Sequence, residues 1–224
     1  MMKKLLAVLC VVSLCIGFFV STAYAFTVTE LDSEDVFAPE LIEKEKVSPW
    51  AKAEIDLALE AGLITEHTSS YMTHEITRFQ FAELIVNCVE KITGKEIVPA
   101  AATTFTDTTE TAVLKAYAAG IVGGVGNNRF DPEAKSNREQ IAAMIYRAAK
   151  YIQTETNQNL APATADLSKF TDKAQVSSWA LEGVGALAAN GIMSGNSPTT
   201  LSPKSSCTIE QSILFVYRLY KKTL

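Results

Sequence analysis

Two arginines, two tryptophans and two aspartates recur at matched positions along this 224-residue chain. Arg78 follows Thr77 and Arg138 follows Asn137, and each is followed two residues later by a glutamine. A Thr or Asn with Gln three residues on is the capping-box arrangement, so both arginines fall on the first turn of a helix. A cation there opposes the helix macrodipole by about 0.3–1 kcal/mol, and propensity alone argues for an acid. Helix N-terminal N–H groups joined by a guanidinium make a good carboxylate site. The plainer alternative pairs each arginine with a neighbouring Asp or Glu. Trp50 and Trp179, the only tryptophans, each stand twelve residues before a glycine. An indole face can stack on the C–H face of a sugar, and the same ring can be plain core. Asp107 and Asp172 each lie two residues after a phenylalanine; they can bond sugar hydroxyls or cap the helix that follows. Gly123, Gly124 and Gly195 let backbone approach a ligand, or supply turns with φ > 0.

Other chemistries find no support. Gly120 to Gly126 is glycine-rich, but no Gly-Lys-Ser/Thr follows it and no strand precedes it, so it is neither a P-loop nor a dinucleotide fingerprint. His67 and His74 are the only histidines, and His74-Glu75 lacks the second histidine of a zinc-protease helix, so no metal site is expected. No Ser/His/Asp or Cys/His set clusters, and no cofactor is implied. With a net charge of −5, no basic face for nucleic acid is evident.

The elements that must position these residues repeat three times. Glycines at 62, 120 and 191 each close an apolar-periodic run that reads as a short helix with a C′ glycine. A polar loop follows. A second helix then opens at Thr77, Asn137 and Thr208, which lie 15, 17 and 17 residues after those glycines. The second helices are amphipathic: Phe81, Leu84, Ile85, Cys88, Val89 and Ile92 share one face, as do Ile141, Met144, Ile145 and Ala148, and Ile213, Val216, Tyr217 and Tyr220. One helix pair cannot bury such a face alone, so three must share a core. The repeats span 47–92, 105–152 and 170–221, joined by linkers rich in Ala, Thr, Pro and Asn. An acidic lead-in, 26–46, precedes them.

Residues 1–25 read as a secretory signal peptide: Lys3 and Lys4, an uncharged apolar run from Leu5 to Val20, and the small-x-small site Ala23-Tyr24-Ala25. Its cleavage removes two lysines and no acid, so the net charge falls to −7, and no later stretch is apolar enough to span a membrane. Cys88 and Cys207 would remain. Cys88 lies on its helix's apolar face and reads as core; export permits a Cys88–Cys207 disulfide, but the sequence alone does not establish the needed proximity.

The ordered pattern resembles the S-layer homology family: Phe-x-Asp, Trp-Ala, a short helix, Gly-Ile, a Gly-rich loop, an aromatic before Pro, and Thr-Arg opening a helix. Repeat 3 shows Phe170-Thr171-Asp172, Trp179-Ala180, Gly191-Ile192 and Leu201-Ser202-Pro203. Repeat 2 shows Phe105-Thr106-Asp107, Gly120-Ile121, Phe130-Asp131-Pro132 and Asn137-Arg138-Glu139, and repeat 1 shows Trp50-Ala51, Gly62-Leu63 and Ile76-Thr77-Arg78. The resemblance implies an all-α, pseudo-threefold, three-lobed prism. It also implies grooves between lobes that bind secondary cell-wall polysaccharide, often pyruvylated. The implied ligand set is Arg78, Arg138, Trp50, Trp179, Asp107, Asp172, Gly123, Gly124 and Gly195.

The copies are unequal. Ile209 replaces the arginine in repeat 3, Thr108 replaces the tryptophan in repeat 2, and repeat 1 has no clear Phe-x-Asp. One or two working grooves are therefore expected, least of all the one that depends on Ile209. The expected function is non-catalytic cell-wall binding by an exported surface protein. A protein-binding module that organises a surface layer is one rival, and a wall-glycan hydrolase another. The hydrolase would need two carboxylates about 5–9.5 Å apart in a cleft, and the sequence points to no such pair.

Overall fold

The computed structural model describes residues 47–162 and 166–224. The expected signal peptide and acidic lead-in lie outside the described residues. Six α-helices alternate short and long: α1 (Lys52–Glu60), α2 (Arg78–Thr93), α3 (Thr111–Ala118), α4 (Arg138–Thr156), α5 (Leu181–Ala189) and α6 (Ile209–Tyr220). No strand longer than an isolated bridge occurs among the described residues, so the fold is all-α. α4 runs to Thr156, four residues past the expected end of repeat 2, and closes on Asn157 in the left-handed conformation.

The helix ends follow from local sequence. Thr77, Asn137 and Thr208 each accept a hydrogen bond from the N–H of Gln80, Gln140 and Gln211, and each glutamine side-chain oxygen accepts one from the cap's own N–H. Each short helix ends in a Schellman motif. Gly62, Gly120 and Gly191 take φ of +64°, +68° and +67°, and the following residue's N–H reaches back to Ala58, Ala116 and Leu187.

Packing is cyclic. The three long helices contact one another through their apolar faces, with Ile85, Ile145 and Ile213 fully buried. Each short helix packs on the long helix of another repeat: α3 on α2, α5 on α4, and α1 on α6. The segments just before the long helices close a ring of backbone bonds. Ile76 donates to Cys207, Cys207 to Ser136, and Ser136 to Ile76, at 2.9, 3.0 and 3.1 Å. Burial of the isoleucines alone is worth roughly 1.5–3 kcal/mol each. The ring adds directional bonds that set the register of one repeat on the next.

Candidate binding cleft

The arginines are built into the ring. The N–H groups of Arg78 and Phe79 donate to the carbonyls of Ala134 and Pro132, those of Arg138 and Glu139 to Ser205 and Pro203, and those of Ile209 and Glu210 to His74 and Met72. The third N–H of each long helix is taken by its cap. The expectation that these helix N-termini offer free N–H groups to a carboxylate is therefore corrected: the neighbouring repeat consumes them.

The guanidinium groups do related work. Arg78 donates from Nε to Phe130 O at 2.9 Å and from Nη2 to Gly123 O at 2.8 Å. Arg138 donates to the matching carbonyls, Leu201 O at 2.9 Å and Ser194 O at 2.6 Å. Arg78 also lies over the Phe130 ring and Arg138 over the Phe215 ring. Among the described residues neither arginine has a carboxylate within 4 Å, so the simple ion-pair alternative fails. Two of five donors are used on each, which leaves donors on both. Burial pulls both guanidinium pKa values down, opposed by Asp131 and Asp107 for Arg78 and by Cys207 and Asp172 for Arg138.

Asp107 and Asp172 do not cap helices. Asp107 accepts the N–H groups of Phe130 and Asp131 at 2.9 and 2.8 Å, and Asp172 accepts those of Leu201 and Ser202 at 2.9 and 2.7 Å. Asp131 and Ser202 are left-handed, at φ +61° and +53°, so the carboxylates hold a strained turn in place. Each loop is thus gripped from both sides: the aspartate of its own repeat takes its N–H groups, and the arginine of the preceding repeat takes its carbonyls.

The three candidate glycines are not φ > 0 turn glycines. A Cβ on Gly124 would sit 2.9 Å from Arg129 O and 3.1 Å from the Phe105 ring, and one on Gly195 would collide with the carbonyls of Ser197 and Thr200. Those two are needed for close approach within the loop, whereas Gly123 has open space. Neither tryptophan is core: Trp50 is 59% exposed and Trp179 54%, because each precedes its helix and faces outward. Cys88 and Cys207 are free and buried, so no disulfide joins them.

Two carboxylates that sequence reasoning missed hold the tryptophan segments. Glu210, 3% exposed, accepts from Ser48 N–H at 3.0 Å and Ser48 Oγ at 2.8 Å. Glu139, 1% exposed, accepts from Ser177 N–H and Oγ, both at 2.9 Å, and from Lys204. Burial works against the Glu139 charge, but the Lys204 ammonium and the Ser177 bonds outweigh it and hold the carboxyl below its ordinary range. The signal was present: a serine two residues before each tryptophan and a glutamate two residues after the cap.

Trp50, Arg138 and Gly195, from three different repeats, converge on one cleft of about 480 Å³. Ser194, Asn196, Gln211, Leu214, Phe215 and Arg218 complete its lining. Arg218 was also missed, although arginine follows Gln140 and Gln211 at the same seven-residue step. Its Nε pairs with Glu54 at 2.8 Å. The remaining six candidates lie outside this cleft. Arg78 and Gly123 meet one another, and Trp179 occupies the place in repeat 3 that Trp50 holds in repeat 1. The third place in the cycle has Ile209, 1% exposed, and no guanidinium.

An exposed indole beside two guanidinium groups, with amide and hydroxyl neighbours, suits an anionic sugar: a flat face for stacking and paired donors for a carboxylate. The S-layer homology domain profile matches residues 104–142 and 169–208, the stretches that carry both Asp–loop clamps. Those two stretches are S-layer homology domains. That family anchors proteins to the cell wall, which puts this chain at the cell surface. Residues 47–92 fall outside the matched stretches but share the capping box, the Schellman glycine and the backbone ring.

The relatives are long proteins. An endoglucanase of Bacillus sp. (strain KSM-635) is 27% identical over 98% of this chain and 22% of its own length. An amylopullulanase of Thermoanaerobacterium thermosulfurigenes is 30% identical over 50% of the chain and 6% of its own length. The exoglucanase XynX of Acetivibrio thermocellus is 25% identical over 78% and 16%. This chain therefore spans at most about a fifth of these relatives. Among the described residues no helix is long and apolar enough to cross a membrane, and no group of three or more His, Cys, Asp or Glu is placed to hold a metal.

Proposed function

We propose that this chain is a non-catalytic anchor that binds an acidic secondary cell-wall polysaccharide, with the Trp50–Arg138–Arg218 cleft as its principal site. The observation that carries the reading is the convergence of an exposed indole and two guanidinium groups from three repeats on one cleft. Trp50 stacks on a sugar ring. Arg218, paired through Nε with Glu54 and lining the cleft, takes a carboxylate such as a pyruvate ketal provides, beside the charge of Arg138, which lines the same cleft but is only 2% exposed. The place around Arg78, Gly123, Gly124 and Trp179 is a second groove of the same kind, and the Ile209 place is silent. Asp107, Asp172 and the loop glycines serve by shaping the loops. Polymers long enough to reach two grooves gain avidity through effective concentration.

The test is co-sedimentation with wall sacculi before and after hydrofluoric acid strips the secondary polymer. Binding is expected to be lost on stripping and in Trp50→Ala, whose side chain is exposed and whose removal leaves the fold intact. Undiminished binding to stripped sacculi would overturn the proposal. Release of shortened glycan during the incubation would favour a hydrolase instead.

A further inference from the structure

A second depression, of about 510 Å³, shares the Ser194–Gly195 segment with the cleft. Lys169, Phe170, Ala188, Met193, Ser197 and Pro198 line it. At one lining position repeat 3 leaves open a space that repeat 2 fills. Three residues before the Schellman glycine, repeat 2 has Tyr117 and repeat 3 has Ala188. Tyr117 packs edge-on against Phe105, with ring centroids 5.1 Å apart. Phe170 is the counterpart of Phe105: each ring lies 3.1 Å from the Cβ position of its loop glycine, Gly124 or Gly195. With alanine at 188 the space beside Phe170 stays open. Lys169, where repeat 2 has Thr104, places its ammonium 4.8 Å from the Phe170 ring centroid.

We infer that this depression is a second subsite for the same acidic polymer, entered over the Ser194–Gly195 segment from the Trp50–Arg138 cleft. The inference rests on the proposed function. The chemistry fits a sugar carrying an acid group: one cation, the Ser197 hydroxyl, and a shallow apolar wall from Ala188, Met193 and Pro198. Continuity with the first cleft commits the subsite to the next sugars of one chain, not to a separate ligand. It also assigns a length preference to repeat 3 that repeat 2, filled by Tyr117, does not share.

The experiment uses wall polysaccharide released by hydrofluoric acid from sacculi of the producing bacterium, fractionated by size and titrated calorimetrically into the full chain. Wild type is expected to bind fractions a few sugars longer than the shortest binder, still too short to reach the Arg78 groove, about tenfold more tightly than that shortest fraction. Ala188→Tyr, which rebuilds the repeat 2 filling, and Lys169→Gln should each lose most of that gain and leave the short fraction unchanged. Both positions are at the surface of the depression, and an unchanged urea midpoint confirms folding. Wild-type length dependence retained in Ala188→Tyr, or absent in wild type, overturns the subsite. Trp50→Ala separates the two ideas: it should weaken short and long fractions alike, and if it weakens neither, the cleft reading itself fails.

Discussion

Replacing Glu139 with alanine tests how the tryptophan segment of repeat 3 is held. The carboxylate accepts two hydrogen bonds from Ser177, both at 2.9 Å, and an ammonium contact from Lys204. A bond to a charged group contributes about 1.5–3 kcal/mol. Two such bonds set an upper bound of about 6 kcal/mol. Two effects reduce it. Ser177 is only partly buried, so water recovers some of its bonding, and removing a buried carboxylate relieves its desolvation. The Lys204 side chain is half exposed and adds little. The expected loss is about 2–4 kcal/mol, a fall in melting temperature of roughly 8 °C for a chain of this size. Urea unfolding followed by circular dichroism at 222 nm reads it directly. Glu210→Ala is an internal control, because Glu210 holds Ser48 in the same way while Thr73 stands where Lys204 would be. Similar losses in both would show that the serine bonds carry the effect. A loss below about 0.5 kcal/mol in Glu139→Ala, the range of an ordinary surface change, would refute the reasoning.

Three further outcomes are expected. Asp107 is held below its ordinary range chiefly by the Phe130 N–H, and Asp172 and Glu139 are held low by hydrogen bonds that outweigh burial. Their stabilisation is present above the unfolded-state values and is lost as pH falls through the lowered folded values, so the urea midpoint should drop below about pH 4; a flat midpoint to about pH 3 would contradict this. Gly195→Ala should cost about 1–3 kcal/mol because the new Cβ meets two backbone carbonyls, while Gly123→Ala should be neutral, and equal urea midpoints for the two would refute the loop packing. Burial pushes the Cys88 thiol up to about 12 and Cys207 to about 11, so native protein should resist a thiol-reactive dye and react at both sites only when unfolded; rapid native labelling of either would count against their burial.

The sequence by itself determined the local devices. Capping boxes at Thr77, Asn137 and Thr208 and Schellman glycines at 62, 120 and 191 involve partners within six residues, so residue type and spacing suffice to name them. The three-copy pattern and the amphipathic faces carried the all-α class for the same reason. Only the tertiary structure decided what the marked residues do. Arg138 reaches Leu201, Glu210 reaches Ser48, and Arg218 reaches Glu54, across 63, 162 and 164 residues. No periodicity within one helix encodes such pairings; they follow from each repeat docking cyclically on another. That docking consumes the helix N-terminal N–H groups that local reasoning left free for a ligand. It turns Asp107 and Asp172 into loop clamps instead of caps, and it brings Trp50, Arg138 and Gly195 from three repeats to one cleft.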